Sequence, residues 1–202
     1  RRSFVTVIEL IQLINNLDRR EQQRLFTLRE LSTLSGKTRP AVGMALQRAA
    51  WKEIVARVGN LWINLMNPPA ITDLAFALVS PSYISFESAL YHHGILSQSP
   101  RGELTVATAG RPRRIETPLG TIRFIHLKRP LFFGFDADRM ALAEKAWLDL
   151  VYIRGRRWRD QLLSEKVYLD RLNGRRLRDF SRRFPRPTQT LGIATVKRGK
   201  GG

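Results

Sequence analysis

Apolar residues recur at helical spacing in the first third of the chain. Residues 3–17 carry them three or four positions apart, so the pattern predicts a helix that Ser3 caps. A second, shorter helix is expected to begin after Thr27 and to end at Gly36, because glycine commonly terminates helices. The apolar face of this second helix would contain Leu28, Leu31 and Leu34.

A third helix and a hairpin are predicted next. Thr38 precedes a proline-containing first turn, and the helix would run to about Ala50 with its inward face formed by Val42, Leu46 and Ala49. Two β-rich runs then flank Gly59–Asn60, a pair typical of a two-residue hairpin turn. The order of helix, short helix, turn, helix and hairpin predicts a winged helix-turn-helix domain over residues 1–67.

In such a domain the helix after the turn enters the major groove of DNA, and the hairpin follows a neighbouring groove or phosphate strand. The outward positions of the third helix would be Arg39, Pro40, Gly43, Met44 and Gln47. Arg39 suits a bidentate contact to guanine, and Gln47 suits adenine. Phosphate contacts are expected from Lys37, Thr38, Arg48, Lys52 and Arg57, with Asn60 at the tip of the hairpin.

Gly43 is unusual in the middle of a helix, where glycine costs about 1 kcal/mol relative to alanine. Close approach to a DNA backbone or base is one reason to keep it. The alternative for the whole domain is a protein-interaction module whose arginine-rich helix is a solvated face.

Asn67–Pro68–Pro69 is a stiff connector that marks a domain boundary. Beyond it the pattern predicts both helices and strands, so residues 68–202 are expected to form a second domain and the whole chain an α/β (α+β) fold. The predicted helices cover residues 71–79, 86–94 and 140–153, and Ser85 would cap the second of them. The predicted strands cover residues 103–108, 113–117 and 120–127.

The amino-acid composition limits the kinds of functional site and partner that the chain can have. The 202 residues contain no cysteine and three histidines, so neither a thiolate metal site nor a cofactor is expected. No apolar run approaches the roughly 18 residues of a membrane span, and no signal-peptide pattern is present, so we expect a cytoplasmic protein without membrane contact. The 35 Lys and Arg residues against 17 Asp and Glu give a net charge of +18, which indicates a polyanionic partner, nucleic acid before membrane.

The charge is unevenly distributed. Residues 1–67 carry a net +6, residues 68–153 a net +1, and residues 154–202 a net +11. The last region predicts basic amphipathic helices over about 154–185, broken at Asn173–Gly174, and a flexible tail over about 196–202. Its cationic face would comprise Arg154, Arg156, Arg157, Arg159, Arg175, Arg176, Arg178, Arg182 and Arg183. Trp158 either stacks on an unpaired RNA base or anchors its helix to the domain.

Two groups of residues invite a catalytic interpretation, and neither supports one. Adjacent His92 and His93 diverge by about 100° on a helix, so they cannot act on one ligand together. Glu144, Lys145 and Asp149 lie on neighbouring faces of one helix, where a salt bridge to a nearby arginine is the commoner role. We therefore expect a protein that is not an enzyme, with a nucleic-acid-processing enzyme as the weakest alternative.

Two runs in the second domain resemble the AbiEi family, the antitoxins of type IV toxin-antitoxin systems. The first run contains Ser85, Ser88, Ala89, Leu90, Tyr91, His93 and Gly94. The second run contains Ala141, Glu144, Lys145, Ala146, Leu148, Asp149 and Leu150. With the preceding winged helix-turn-helix, the resemblance covers roughly residues 27–153. Trp147 departs from it, because the family usually has leucine there.

The resemblance implies a regulator that binds inverted repeats in its own double-stranded promoter DNA and represses its operon. It also implies that the second domain counteracts a nucleotidyltransferase toxin, in most accounts without a stable complex. A stand-alone transcriptional repressor with no toxin partner remains the alternative.

Overall fold

The computed structural model describes residues 6–98, 102–155 and 167–199, with side chains described up to residue 194. The fold is mixed α/β, which confirms the predicted class. Two compact units are present, one of Arg1–Leu74 with Thr117–Leu119, the other of Ala75–Glu116 with Gly120–Gly202. The sequence places the boundary earlier, at residues 67–68. The predicted cap Ser3, the basic residues Arg156, Arg157 and Arg159, and Trp158 lie outside the described residues.

The first unit contains the predicted helices and hairpin together with one strand that the pattern did not predict. In chain order its elements are α1 (Val7–Glu21), β1 (Leu25–Thr27), α2 (Leu28–Ser35), α3 (Arg39–Trp51), β2 (Val55–Val58) and β3 (Leu61–Asn64). The strands form an antiparallel sheet in the order β1–β3–β2, so the predicted hairpin gains a third strand on its β3 side. At three residues, β1 is too short for its alternation to be recognised in the sequence.

Helices α1 and α2 both begin with a Thr–Glu capping box. In α1 the Glu9 N–H donates to the Thr6 hydroxyl (3.2 Å), and the Thr6 N–H donates to the Glu9 carboxylate (2.8 Å). This backbone donation holds the pKa of Glu9 below its usual range. Thr27 and Glu30 repeat the arrangement at α2. The predicted start of the first helix at Ser3 is therefore wrong, since helix geometry begins after Thr6.

The core of the first unit lies between the helices and the sheet. Helix α3 packs against α1, α2 and β2. Its three predicted inward residues are all buried. Leu31 of α2 is also buried, but Leu34 is 53% exposed, so the predicted three-leucine face is wrong at its last position. The buried core contains Leu10, Ile14, Leu17, Phe26, Leu31, Ala41, Val42, Ala45, Leu46, Ala49, Val55 and Trp62.

A four-stranded mixed sheet organises the second unit. The elements from the linker onwards are α4 (Ile71–Leu78), β4 (Ser82–Ile84), α5 (Phe86–His92), β5 (Glu103–Thr108), β6 (Arg113–Thr117), β7 (Gly120–His126) and α6 (Ala143–Arg154). The strand order is β4–β5–β7–β6, with β4 and β5 antiparallel and β5 and β7 parallel. All predicted helices and strands of this region are present, and β4 is an addition.

Among the described residues after α6, two further α-helices are present. Asn173 caps α7 (Gly174–Ser181), as the predicted break at Asn173–Gly174 requires. The described residues just before the break form a short 3-10 turn, Leu169–Arg171, where the sequence predicted a basic helix. Helix α8 (Arg186–Gly199) overturns the predicted flexible tail as far as Gly199. It packs on α6, where the indole of buried Trp147 donates to the Gly192 carbonyl (3.1 Å). A Cβ on Gly192 would lie 3.0 Å from Leu148 Cδ2, so any larger residue would force the leucine side chain to move. Polar residues and glycines concealed this helix in the sequence pattern.

An ion pair is buried at the centre of the second unit. Lys145 and Asp149, one turn apart on α6, are both 0% exposed, and the Lys145 ammonium donates to the Asp149 carboxylate. Lys145 also donates to the Tyr83 hydroxyl (2.7 Å), which in turn donates to Asp149 (2.9 Å). The Ser85 hydroxyl donates to the same carboxylate (2.7 Å). Ser85 does occupy the predicted N-cap position of α5, but its side chain serves Asp149 and makes no capping bond.

Burial has the largest effect on the pKa values of Lys145, Asp149 and Tyr83. It raises the pKa of Asp149 and lowers that of Lys145, while the attraction between the two opposes both shifts. Burial also raises the pKa of Tyr83, so its hydroxyl stays protonated and remains a donor. Each member thus depends on the others to satisfy its polar atoms.

The two charges of this pair should be energetically coupled. We expect Lys145→Met to lower the free energy of unfolding by about 3–5 kcal/mol, because Asp149 is left as an uncompensated buried charge. Lys145→Met combined with Asp149→Asn should cost less than the sum of the two single changes, because no charge is left unpaired. Urea denaturation of the four proteins measures this coupling, and strictly additive costs would contradict it.

Candidate nucleic-acid interface

Helix α3 divides cleanly into a buried and an exposed face. Positions 41, 42, 45, 46 and 49 are buried in the core of the first unit. Of the predicted outward residues, four are exposed and Gly43 is half-buried; the exposed four are Arg39, Pro40, Met44 and Gln47. Arg48, the predicted phosphate contact on the same helix, is exposed as well. The inward and outward assignments made from spacing are therefore confirmed.

The turn before α3 fixes where the helix begins. Gly36 ends α2 at a φ of +65°, a left-handed conformation that favours glycine. The Ser32 hydroxyl then donates to the Lys37 carbonyl (2.6 Å), which ties the turn back to α2. Thr38 holds the N-cap position of α3, but its side chain makes no capping hydrogen bond, unlike Thr6 and Thr27. Thr38 is exposed, and Lys37 is half-buried.

The remaining predicted contacts lie at the other end of α3 and on the hairpin. Lys52 is exposed at the C-cap of α3. Asn60 is exposed in the turn between β2 and β3. The Arg57 side chain is exposed, but its Nε donates to the Gly59 carbonyl (3.1 Å), so part of its hydrogen-bonding capacity braces the hairpin turn. A phosphate contact by Arg57 would therefore use the two terminal nitrogens of its guanidinium group.

Sequence reasoning missed Trp51, which is 83% exposed at the end of α3. It follows Gln47 by four residues, and residues four apart lie on the same side of a helix. The spacing could have identified it. With Trp51 the exposed face extends along all of α3, about 20 Å at the rise of an α-helix.

The predicted basic face of the second unit is partly engaged in internal contacts. Arg154 pairs with Glu87 of α5. Arg176 lies 3.5 Å from the carboxylate of Glu144, which is 4% exposed. The Arg183 guanidinium lies over the ring of Phe133, 4.2 Å from its centroid. The other described arginines of this basic face are exposed, and they are Arg175, Arg178 and Arg182. Arg182 lies 3.9 Å from the carboxylate of Asp179.

The residues considered for catalysis have structural partners. His93 hydrogen-bonds through Nε2 to the Ala141 carbonyl (2.8 Å), and His92 is exposed. The expected divergence of the pair is incomplete, because their imidazole rings are in edge-to-face contact with centroids 5.2 Å apart. Glu144 accepts the Asn173 N–H (2.7 Å) and pairs with Arg176, as expected for a helix carboxylate beside an arginine. Within the described residues, no group of three His, Asp or Glu could hold a metal ion.

The two runs that carry the AbiEi resemblance meet in the structure. Ser85 and Asp149 are hydrogen-bonded, and His93 reaches Ala141. The end of the first run contacts the start of the second, and the start of the first run contacts the far part of the second. Helices α5 and α6 therefore pack side by side and run antiparallel. The apolar residues of both runs belong to the core of the second unit, and they are Ala89, Leu90, Ala141, Ala146, Leu148 and Leu150.

In the described parts of the chain, no helix is long and apolar enough to cross a bilayer. No protein-family model matches the chain. No curated protein matches it either.

A solved structure is similar to this chain over its whole length. It is the crystal structure of the RV2827C protein from Mycobacterium tuberculosis, with 15% sequence identity and a TM-score of 0.59. The match covers 100% of this chain and 82% of that one. At this identity the likeness shows the fold alone, and the AbiEi resemblance stays a prediction. The chain thus shares its mixed α/β fold with a mycobacterial protein.

Proposed function

We propose that the first unit is a winged helix-turn-helix that binds double-stranded DNA, and that the protein represses transcription by occupying its own promoter. The observation that carries this proposal is the division of α3. One face is buried, and the other presents Arg39, Gln47 and Arg48 to solvent directly after a tight turn. A helix of this kind fits the width of a major groove.

Charge supports a DNA partner over a protein partner. The first 67 residues carry a net +6, and the exposed residues of α3 include cations and no acidic side chain. At the start of α3 the Thr38 side chain makes no capping bond, so the first amides of the helix suit a phosphate oxygen. The β2–β3 hairpin, with Asn60 at its tip, would follow the neighbouring phosphate strand.

Two kinds of contact have separate roles in this mechanism. Lys37, Lys52 and Arg48 neutralise phosphates, which supplies affinity without sequence preference. Arg39 and Gln47 read base edges and supply the preference. Repression follows from occupancy, because a protein seated on the promoter excludes the polymerase.

We propose that the second unit is the antitoxin part of the protein and acts against a nucleotidyltransferase toxin, as the AbiEi resemblance implies. The supporting observation is that the residues of both resembling runs form one packed α5–α6 core. A stand-alone repressor lacks this second role, and the neighbouring reading frame distinguishes the two.

DNA binding should depend steeply on salt. If the protein neutralises about six phosphates, the logarithm of the association constant should fall with the logarithm of salt concentration at a slope near −5. Fluorescence anisotropy of the full chain on the duplex upstream of its own coding region measures this slope. A slope near zero would contradict the placement of the basic residues.

Base readout and phosphate contact should respond differently to substitution. Arg39→Ala should cost about 1–3 kcal/mol on the preferred duplex and relax base preference, whereas Lys52→Ala should weaken all duplexes alike. Arg20→Ala removes the same charge from an exposed position on α1 and is the matched control, with a small and uniform effect expected. If Arg39→Ala and Lys52→Ala lose affinity equally on every sequence, the assignment of Arg39 to the groove is wrong.

Repression and antitoxicity should be separable. Expressed from an unrelated promoter, the full chain and its Arg39→Ala variant should both relieve growth arrest by a nucleotidyltransferase encoded in the adjoining reading frame. Only the unsubstituted chain should repress a reporter driven by its own upstream DNA. Failure of both proteins to restore growth, with repression intact, would favour the stand-alone repressor.

A further inference from the structure

Gly43 lies near the middle of α3 and is half-buried, and the fold does not require glycine there. Its φ lies outside the left-handed region. A Cβ built on it would meet only Leu28 Cδ1, at 4.0 Å, which is an ordinary van der Waals contact. Gly134 differs, because its φ is +71° and a Cβ on it would lie 3.2 Å from two side chains.

Glycine is also the less favourable choice for local structure. It loses more backbone entropy in a helix interior than alanine does. Since neither backbone conformation nor packing within the first unit explains Gly43, its benefit must come from something that approaches α3 from outside.

The surroundings of Gly43 indicate the chemistry of that approach. Pro40 and Gln47, three residues before and four after, share its side of the helix, and Pro40 is exposed. The missing side chain therefore leaves a hollow beside two apolar groups, Pro40 and Leu28. Arg39 and Arg48 place positive charge on the helix turns before and after it.

This hollow is unsuited to a phosphate. Amides in the middle of an α-helix already donate to carbonyls four residues earlier, so Gly43 has no donor to offer an anion. Major-groove edges of base pairs present one apolar group, the C5-methyl of thymine. An apolar hollow among cations matches that methyl group in a groove whose walls are phosphates.

We propose that Gly43 is a specificity-determining residue that receives the methyl group of a thymine in the major groove. The proposal rests on the proposed DNA-binding function and adds the identity of one base that α3 reads. Glycine at this position lets the helix axis lie closer to the base pair than alanine would, by about the width of a methyl group.

The test removes one methyl group from the DNA and adds one to the protein. A preferred duplex is first selected from a random 20-base-pair library by the full chain. Each thymine is then replaced by deoxyuracil, which lacks only the methyl group. At one thymine of the recognition site, we expect the unsubstituted protein to lose about fourfold in affinity, the worth of one buried methyl.

Gly43→Ala should show the opposite preference. We expect it to bind the thymine duplex at least tenfold more weakly, because two methyl groups compete for one space. On the duplex with deoxyuracil at the sensitive position it should recover most of that loss. Its thermal midpoint should rise by a few degrees, which shows that the weaker binding does not come from unfolding.

Arg48→Ala is the control on the same helix, about 140° round the helix axis from Gly43, and it should weaken both duplexes alike. The proposal is overturned if Gly43→Ala binds the thymine duplex as well as the unsubstituted protein, or if it loses equally on both duplexes at every position. In either case salt-dependent binding by the unsubstituted protein would leave the proposed function standing. If the unsubstituted protein selects no duplex at all, the proposed function itself fails.

Discussion

A charged pair without access to water lies at the centre of the second unit, and three elements depend on how its atoms are satisfied. Lys145 and Asp149 belong to α6, while the hydroxyls that complete their shell come from Tyr83 at β4 and from Ser85 at the start of α5. The rings of Phe133 and Phe184 lie 5.1 and 5.3 Å from the ammonium. Such a pair adds little net stability compared with apolar residues, but it tolerates only one arrangement of its neighbours.

The first unit uses a different constraint, the tight turn between α2 and α3. Gly36 and the bond from Ser32 to the Lys37 carbonyl set the direction in which α3 leaves the turn. Small residues on the inner face, Ala41, Ala45 and Ala49, bring the helix close to the core. The outer face is then defined by geometry alone, so a few exposed side chains can change while the support beneath them stays the same.

Local patterns in the sequence predicted most elements, because caps and periodicity act within a few residues. Thr27 with Gly36, and Gly59–Asn60, each placed an element end correctly, and the spacing of Val42, Leu46 and Ala49 divided α3 correctly. Features set by distant partners were missed. The short strand β4, the partnership of Ser85 with Asp149, and the packing of α8 on Trp147 all depend on residues more than 20 positions away. In the candidate site, residue spacing predicted which side chains are exposed. It could not predict the internal contacts of Arg154, Arg176 and Arg183, because their partners are distant in the sequence.

The contact between Trp147 and Gly192 has a consequence for the order of events during translation. The apolar cluster of the first unit draws its residues from Leu10 to Trp62, so it can assemble while the ribosome is still making the rest of the chain. The core around Trp147 remains open until the ribosome releases residue 192 from its exit tunnel, because only then does the indole meet its acceptor. A nascent chain would thus carry a finished N-terminal unit well before the other unit closes.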